Sequence, residues 1–201
     1  MKPYSAACDR NQEPILEVLK EFITSEDKKL LEVGSGTGQH AVFLAPHFKH
    51  LEWYTSDVPE NHAGIKEWLD EAKIRNIKGP FTFEVGKDEF PKNEFDIVFT
   101  ANTFHIMSWK ECKTLMKSLG QRLTEGAQVF IYGPFKYQGE FTSQSNAEFD
   151  VSLKTRNPLS GIRAFEDVVN AMTKNGFSLT KDVEMPANNR ILIFMRIDYI
   201  K

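Results

Sequence analysis

Three glycines at alternate positions, Gly34, Gly36 and Gly38 in "LLEVGSGTGQHA", end an apolar run and are the residues best suited to close approach of a ligand. Without a Cβ they enter backbone conformations closed to other residues and let main-chain N–H groups come against a bound molecule. Two phosphate-binding patterns fail here. The dinucleotide fingerprint G-x-G-x-x-G needs its third glycine where Gln39 stands, and the P-loop needs a Gly-Lys-Ser/Thr that does not follow. Asp57 ends the next apolar run, nineteen residues after Gly38. A carboxylate there can accept hydrogen bonds from both hydroxyls of a ribose, although a helix cap uses the same side chain.

Groups able to move a proton come later in the chain. His105, in "ANTFH", titrates near neutral pH and is the candidate general base; a histidine packed in a turn is the competing reading. Asn102 can hold an amino group or an acceptor through its side chain or carbonyl. Tyr132, Phe135, Tyr137, Phe141, Asn146, Phe149 and Asp150 mix aromatic faces with polar groups. That composition suits enclosure of a small, partly apolar acceptor, or the pinning of a long loop. Arg163 can meet an acidic group on a substrate or pair with Asp150 or Glu166. His40, His47 and His50 lack a carboxylate or cysteine completing a ligand pattern, so no metal site is read.

The elements that must position these groups alternate. Apolar residues recur at helical spacing over 13–23, "KKLLEVG" reads as a buried strand, and "GQHAVFLAPHF" as a helix stopping near Pro46. "LEWYTSDV" is a second strand, 61–74 a helix, "FTFEV" a third strand and "FDIVFTAN" a fourth, apolar enough to be central and parallel. A helix over 108–123 precedes a fifth strand, "AQVFIYG". After a helix over 164–174, the strands "FSLTKDVEM" and "RILIFMRI" are joined by a link too short for a crossover, so the last returns antiparallel. The expected fold is a doubly wound α/β, Rossmann-like, seven-stranded, mostly parallel sheet with an antiparallel last strand. Residues 133–163 show no clear period and read as a loop insertion on the substrate side.

Composition limits the partners. The chain has 201 residues, 41% of them hydrophobic, and a net charge of -3, which describes a single soluble domain without the positive charge a nucleic acid would demand. No apolar run reaches membrane-spanning length, the first residues lack a signal-peptide core, and Cys8 and Cys112 read as reduced thiols. The expectation is a cytoplasmic monomer or dimer with a small-molecule substrate, no membrane association, and nucleic acid disfavoured. After the fourth strand there is no Asn/Asp-Pro-Pro-Tyr/Phe, the tetrapeptide with which amino-methylating enzymes hold a flipped base.

What remains of the glycine stretch is E-x-G-x-G-x-G, Glu32 to Gly38, which resembles motif I of the class I S-adenosylmethionine-dependent methyltransferases. "NEFDIVFTANTFHIMSW" resembles motif IV, and "LTEGAQVFIYG" resembles the turn and fifth strand of the same enzymes, with Glu125 and Ala127 departing from the usual proline and second glycine. "SAACDRNQEPIL", "SGTGQHA", "YGPFKYQGEFTSQSNAEFD", "GIRAFEDV" and "EMPANN" together resemble a small methyltransferase-like family, domain of unknown function 938, along essentially the whole chain. The resemblance implies a single methyltransferase domain over 1–201 that binds S-adenosylmethionine and releases S-adenosylhomocysteine. It implies cofactor contacts at Glu32, Gly34, Ser35, Gly36, Gly38, Asp57, Glu84, Val85 and Asn102, with Asp88 as an alternative near the adenine, and catalysis by His105, Asn102 and Tyr132. Residues 1–24, with Arg10 and Asn11, become a lid by the same resemblance. The implied reaction is O- or N-methylation of an unidentified small acceptor. A non-catalytic cofactor-binding partner and a nicotinamide oxidoreductase stay open as alternatives.

Overall fold

The computed structural model describes residues 2–197, which fall into two compact units, Met1–Thr100 and Ala101–Lys201. Their main sheet has seven strands. In the first unit β1 (Lys29–Val33) pairs parallel with β2 (Glu52–Asp57) and with β4 (Ile97–Ala101), and β2 pairs parallel with β3 (Ile77–Thr82). The order is β3-β2-β1-β4. Leu30, Leu31, Trp53, Ile97, Val98 and Phe99 are buried, as strands covered on both faces require. The helices of this unit are α1 (Ala6–Phe22), α2 (Gln39–Leu44), followed by a short 3-10 turn at Ala45–His47, and α3 (Pro59–Ala72).

In the second unit the order is β5-β10-β9, made by β5 (Gln128–Gly133), β9 (Phe177–Met185) and β10 (Asn189–Arg196). β10 runs antiparallel to both neighbours, to β9 as the short link between them dictates. α4 (Trp109–Arg122) starts with a capping box: the Ser108 hydroxyl accepts from Glu111 N and the Glu111 carboxylate accepts from Ser108 N. α6 (Phe165–Lys174) buries Val168 and Met172. Among the described residues no helix is long and apolar enough to cross a membrane.

Three elements depart from the expected bounds. β3 begins four residues before "FTFEV" and ends within it, because this edge strand is largely exposed and shows no apolar alternation. α1 begins seven residues before the expected 13, since its first turns bury Asn11 instead of an aliphatic side chain. The stretch 133–163 is built, not irregular: β6 (Phe135–Tyr137), β7 (Glu140–Phe141), α5 (Gln144–Arg156) and β8 (Arg163–Ala164) occupy it, the strands forming a small sheet in the order β7-β6-β8. α5 escaped the periodicity argument because two of its three buried residues, Asn146 and Asp150, are polar.

Candidate functional site

The turn after β1 is laced to the end of β2. Gly34 N and Ser35 N both donate to Ser56 O at 3.0 Å, and Ser56 N donates to Ser35 Oγ at 3.2 Å. Gly34, Gly36 and Gly38 have φ of 73, 59 and 89°, a region where a Cβ is costly. Two of them have different further reasons to be glycine. A Cβ on Gly38 would stand 3.3 Å from Ile65 Cα in α3, so that glycine serves packing. A Cβ on Gly36 would meet nothing within 4 Å. Its exposed flank is therefore open to an incoming molecule.

Asp57 is buried and joins the turn directly. Oδ2 accepts from Gly36 N at 2.6 Å, while Oδ1 accepts from Val58 N at 2.7 Å and from Asn61 Nδ2 at 2.8 Å. A carboxylate offers about four lone-pair positions, and three are taken. One ribose hydroxyl can bind Asp57 as it stands; a second requires Asn61 to let go.

Glu32 lies 1% exposed, its Oε2 accepting from Trp53 Nε1 at 2.8 Å. Burial raises its carboxyl to about 7, with the Asp57 charge adding and the hydrogen bonds from Trp53 and Ser35 opposing. This group changes charge near neutrality beside the glycine turn. Beyond β3, Phe83 N donates to Asp57 O at 3.0 Å and so brings Glu84 and Val85 to the end of β2. Asp88 accepts from Glu84 N at 2.7 Å and Lys87 Nζ lies 2.6 Å from the Glu84 carboxylate, so Asp88 holds the turn and Glu84 carries an ion pair.

Sequence reasoning named Asn11, Gln39 and His40 but missed that they fasten α1 to α2. The buried Gln39 side chain accepts from Ser5 N at 2.6 Å and from the Thr37 hydroxyl at 3.0 Å, and donates to Ser5 O at 3.3 Å and Asp9 Oδ1 at 3.0 Å. His40 Nε2 donates to Asn11 Oδ1 at 2.7 Å, with Cys8 Sγ 3.9 Å from Nδ1, and burial lowers His40 to about 4. Asn11 is thus spent on His40, and Arg10 is exposed. The available signal was Gln39 itself, a polar residue at the start of a helix whose neighbours are buried. His47 stacks at a tilt on Phe43 and His50 reaches Thr24 O, so the three histidines have separate surroundings.

Asn102, His105 and Tyr132 all lie in the second unit. Asn102 (φ 59°) donates its N–H to Tyr132 O at 2.9 Å, and His105 Nδ1 lies 3.6 Å from where a Cβ on the neighbouring Gly133 would be. His105 is buried with Phe149 edge-on at 5.3 Å, and burial, helped by the charges of Arg163 and Arg156, lowers it to about 4. At neutral pH its ring is uncharged. Arg163 reaches neither Asp150 nor Glu166: Nε donates to Phe104 O at 3.0 Å, and Nη2 to Leu159 O at 2.9 Å and to Met107 O. It clamps the turn that carries His105.

The aromatic set divides. Phe135 is fully buried, Tyr137 stacks on Phe165 at 4.9 Å and donates to Asp182 at 2.9 Å, and Phe141 lies beneath Lys136 Nζ at 5.4 Å. Asp150 accepts from Ile162 N at 2.7 Å, and Lys154 Nζ stands 2.6 Å away. Phe149 is the member of the set placed against His105, whereas Tyr132 is tied to Asn102 through its backbone carbonyl.

The model of the family described as "Protein of unknown function (DUF938)" matches residues 2–196. The chain belongs to the DUF938 family. Among solved structures this DUF938 chain is similar to the apo form of the S-adenosylmethionine-dependent methyltransferase SibL, with TM-score 0.79 and 20% identity over 96% of this chain and 56% of that one. It is also similar to human N-acetylserotonin methyltransferase in complex with SAM, with TM-score 0.76 and 13% identity over 93% and 55%. PigF with SAH gives TM-score 0.80 at 12% identity over 94% and 56%. The O-methyltransferase aoiF of Aspergillus oryzae is 27% identical over 105 residues, 51% of this chain and 25% of that protein. The DUF938 chain spans about half the length of these structures and a quarter of that curated relative. The fold is that of class I methyltransferases.

Proposed function

We propose that the chain is an S-adenosylmethionine-dependent methyltransferase that methylates a small-molecule acceptor at oxygen or nitrogen. The observation that carries this reading is the pairing of Gly36 with Asp57: an open-flanked glycine whose N–H is held by a buried carboxylate with one acceptor position to spare. Glycines 34, 36 and 38 let the backbone pass close to the methionine and ribose portions, Asp57 accepts a ribose hydroxyl, and Glu84 and Val85 stand on the adenine side. Asn102 is the further contact we assign. The bound cofactor would supply an electrophilic methyl group on sulfur, and in-line positioning provides much of the acceleration.

For a protic acceptor, neutral His105 receives the proton, with the ring aimed by Arg163 through the turn it clamps and by Phe149 at its edge. Tyr132 and Asn102 would position the acceptor. The O-methyltransferase names of the relatives support oxygen as the accepting atom. The two free cysteines and the net charge of -3 support a cytoplasmic protein with a small acceptor. A base as weak as His105 is the one observation that favours the second reading, a non-catalytic module that binds the same cofactor.

Titration calorimetry with S-adenosylhomocysteine tests the cofactor, with Asp57→Ala as control. Saturable heat that falls at least about tenfold in affinity in the variant supports the site. Absence of heat with the wild type sinks it. Transfer of labelled methyl into a cell extract separates the enzyme from the module.

A further inference from the structure

The β9–β10 turn, "EMPANN", forms one wall of a groove of about 440 Å3 whose lining includes Thr142, Glu184, Met185, Asn188, Asn189 and Arg190. None of these residues has a role in the chemistry above. The groove's position is informative, because Arg190 pairs with Gly133 and so places the turn beside the carboxyl end of β5. Ligands of doubly wound sheets gather outside the carboxyl ends of their strands.

The turn is stiff. Ala187 (φ 58°, ψ 38°) and Asn188 (φ 56°) are consecutive left-handed residues, where a tight hairpin ordinarily uses Asn-Gly. The buried Asn146 amide donates to Asn188 O at 3.1 Å and to the Thr142 hydroxyl at 2.9 Å, locking the turn to the start of α5. Both walls are held before any ligand arrives, which limits the ordering cost of binding.

Charge in the groove is already answered. Arg190 Nε lies 2.8 Å from Asp182 and Nη1 2.8 Å from Glu184, two carboxylates against one guanidinium, which discourages an anion. The uncommitted groups are neutral. The Asn188 side chain has no partner among the described residues; Asn189 spends its amide N–H on Pro186 O and Ala187 O and keeps its oxygen; Thr142 keeps its hydroxyl proton. Carboxamides offer donor and acceptor together, the recognition set for hydroxyl and amide groups.

We propose that this groove seats the non-reacting part of the acceptor and takes a neutral group rich in hydroxyls or amides. The word acceptor rests on the methyl-transfer reading; binding does not. The test follows the side-chain amide resonances of Asn188 and Asn189 by NMR on the full chain, titrated with N-acetylglucosamine as neutral probe and with glucosamine and glucuronate as charged counterparts of similar frame. The expected result is saturable shifts of both amides with N-acetylglucosamine, at least about tenfold weaker binding of the charged sugars, and a comparable loss in Asn188→Gly. Glycine is allowed at φ 56°, so that variant keeps the wild-type melting temperature. No shift with any probe, preference for a charged sugar, or unchanged binding in Asn188→Gly overturns the proposal. S-adenosylhomocysteine titrated into the same samples reads the cofactor site separately, so a failed groove and a failed methyltransferase are told apart.

Discussion

Replacing Glu32 by glutamine should make the protein more stable, and by an amount that depends on pH. Glu32 is buried in the first unit and titrates at about 7, against an ordinary value of 4.5. Its native pKa is raised, so the folded state holds the proton more tightly than the unfolded chain between these values. Stability from this group is intact below about 4.5 and is lost as pH rises towards 7. A separation of this size corresponds to about 3 kcal/mol at pH 8. Glutamine escapes that penalty while still accepting from Trp53 Nε1 through its carbonyl. Urea unfolding of both proteins at pH 5 and pH 8 measures the difference. With a slope of roughly 2 kcal/mol per molar urea, the midpoint should rise by about 1.5 M at pH 8 and by much less at pH 5. An equal gain at both pH values, or a loss at pH 8, refutes the reasoning, because it would mean that the ionised carboxylate is stabilised by its surroundings.

Two further outcomes follow from the same unit and its neighbour. Gln39→Ala removes four hydrogen bonds to Thr37, Ser5 and Asp9. At about 2 kcal/mol of lost local stability, amide exchange over 2–11 should quicken roughly 30-fold while the strands stay protected; unchanged exchange rules out the latch. His40 and His105 are both lowered to about 4 from 6.5, so the unfolded chain binds more protons than the native one in that interval. Stability must therefore fall as pH drops from about 6.5 to 4, most visibly in the Glu32→Gln background, where the opposing group is gone; urea midpoints that stay level across that range contradict the assignment.

Apolar periodicity located the buried central strands because those residues have no alternative to the core, and Gln39 in place of a third glycine, with no Gly-Lys-Ser/Thr following, separated the glycine turn from two phosphate loops. The same logic was blind where structure is held by polar groups. Asn146 and Asp150 carry the buried side of α5, Asn11 carries the first turns of α1, and Arg163 spends its guanidinium on backbone carbonyls that no pattern of side chains announces. Asp57 was visible as a residue type and a spacing; that three of its acceptor positions are already used was not, because it depends on where Gly36, Val58 and Asn61 fold. Tyr137 illustrates the limit of composition: an aromatic in the expected segment, it turns to Phe165 and Asp182.

The bond from Trp53 to Glu32 gives the glycine turn an optical reporter of its own. An indole donating into a carboxyl sees a neutral acceptor at low pH and an anion above about 7, and its emission must respond to that change of field. With Trp68 and Trp109 exchanged for phenylalanine, the one remaining tryptophan would signal through its colour each time the carboxyl beside the turn gains or loses its proton, with no dye attached. A molecule settling against Gly36 that alters the charge of Glu32 would then be seen in a cuvette, in real time, before its chemistry is known.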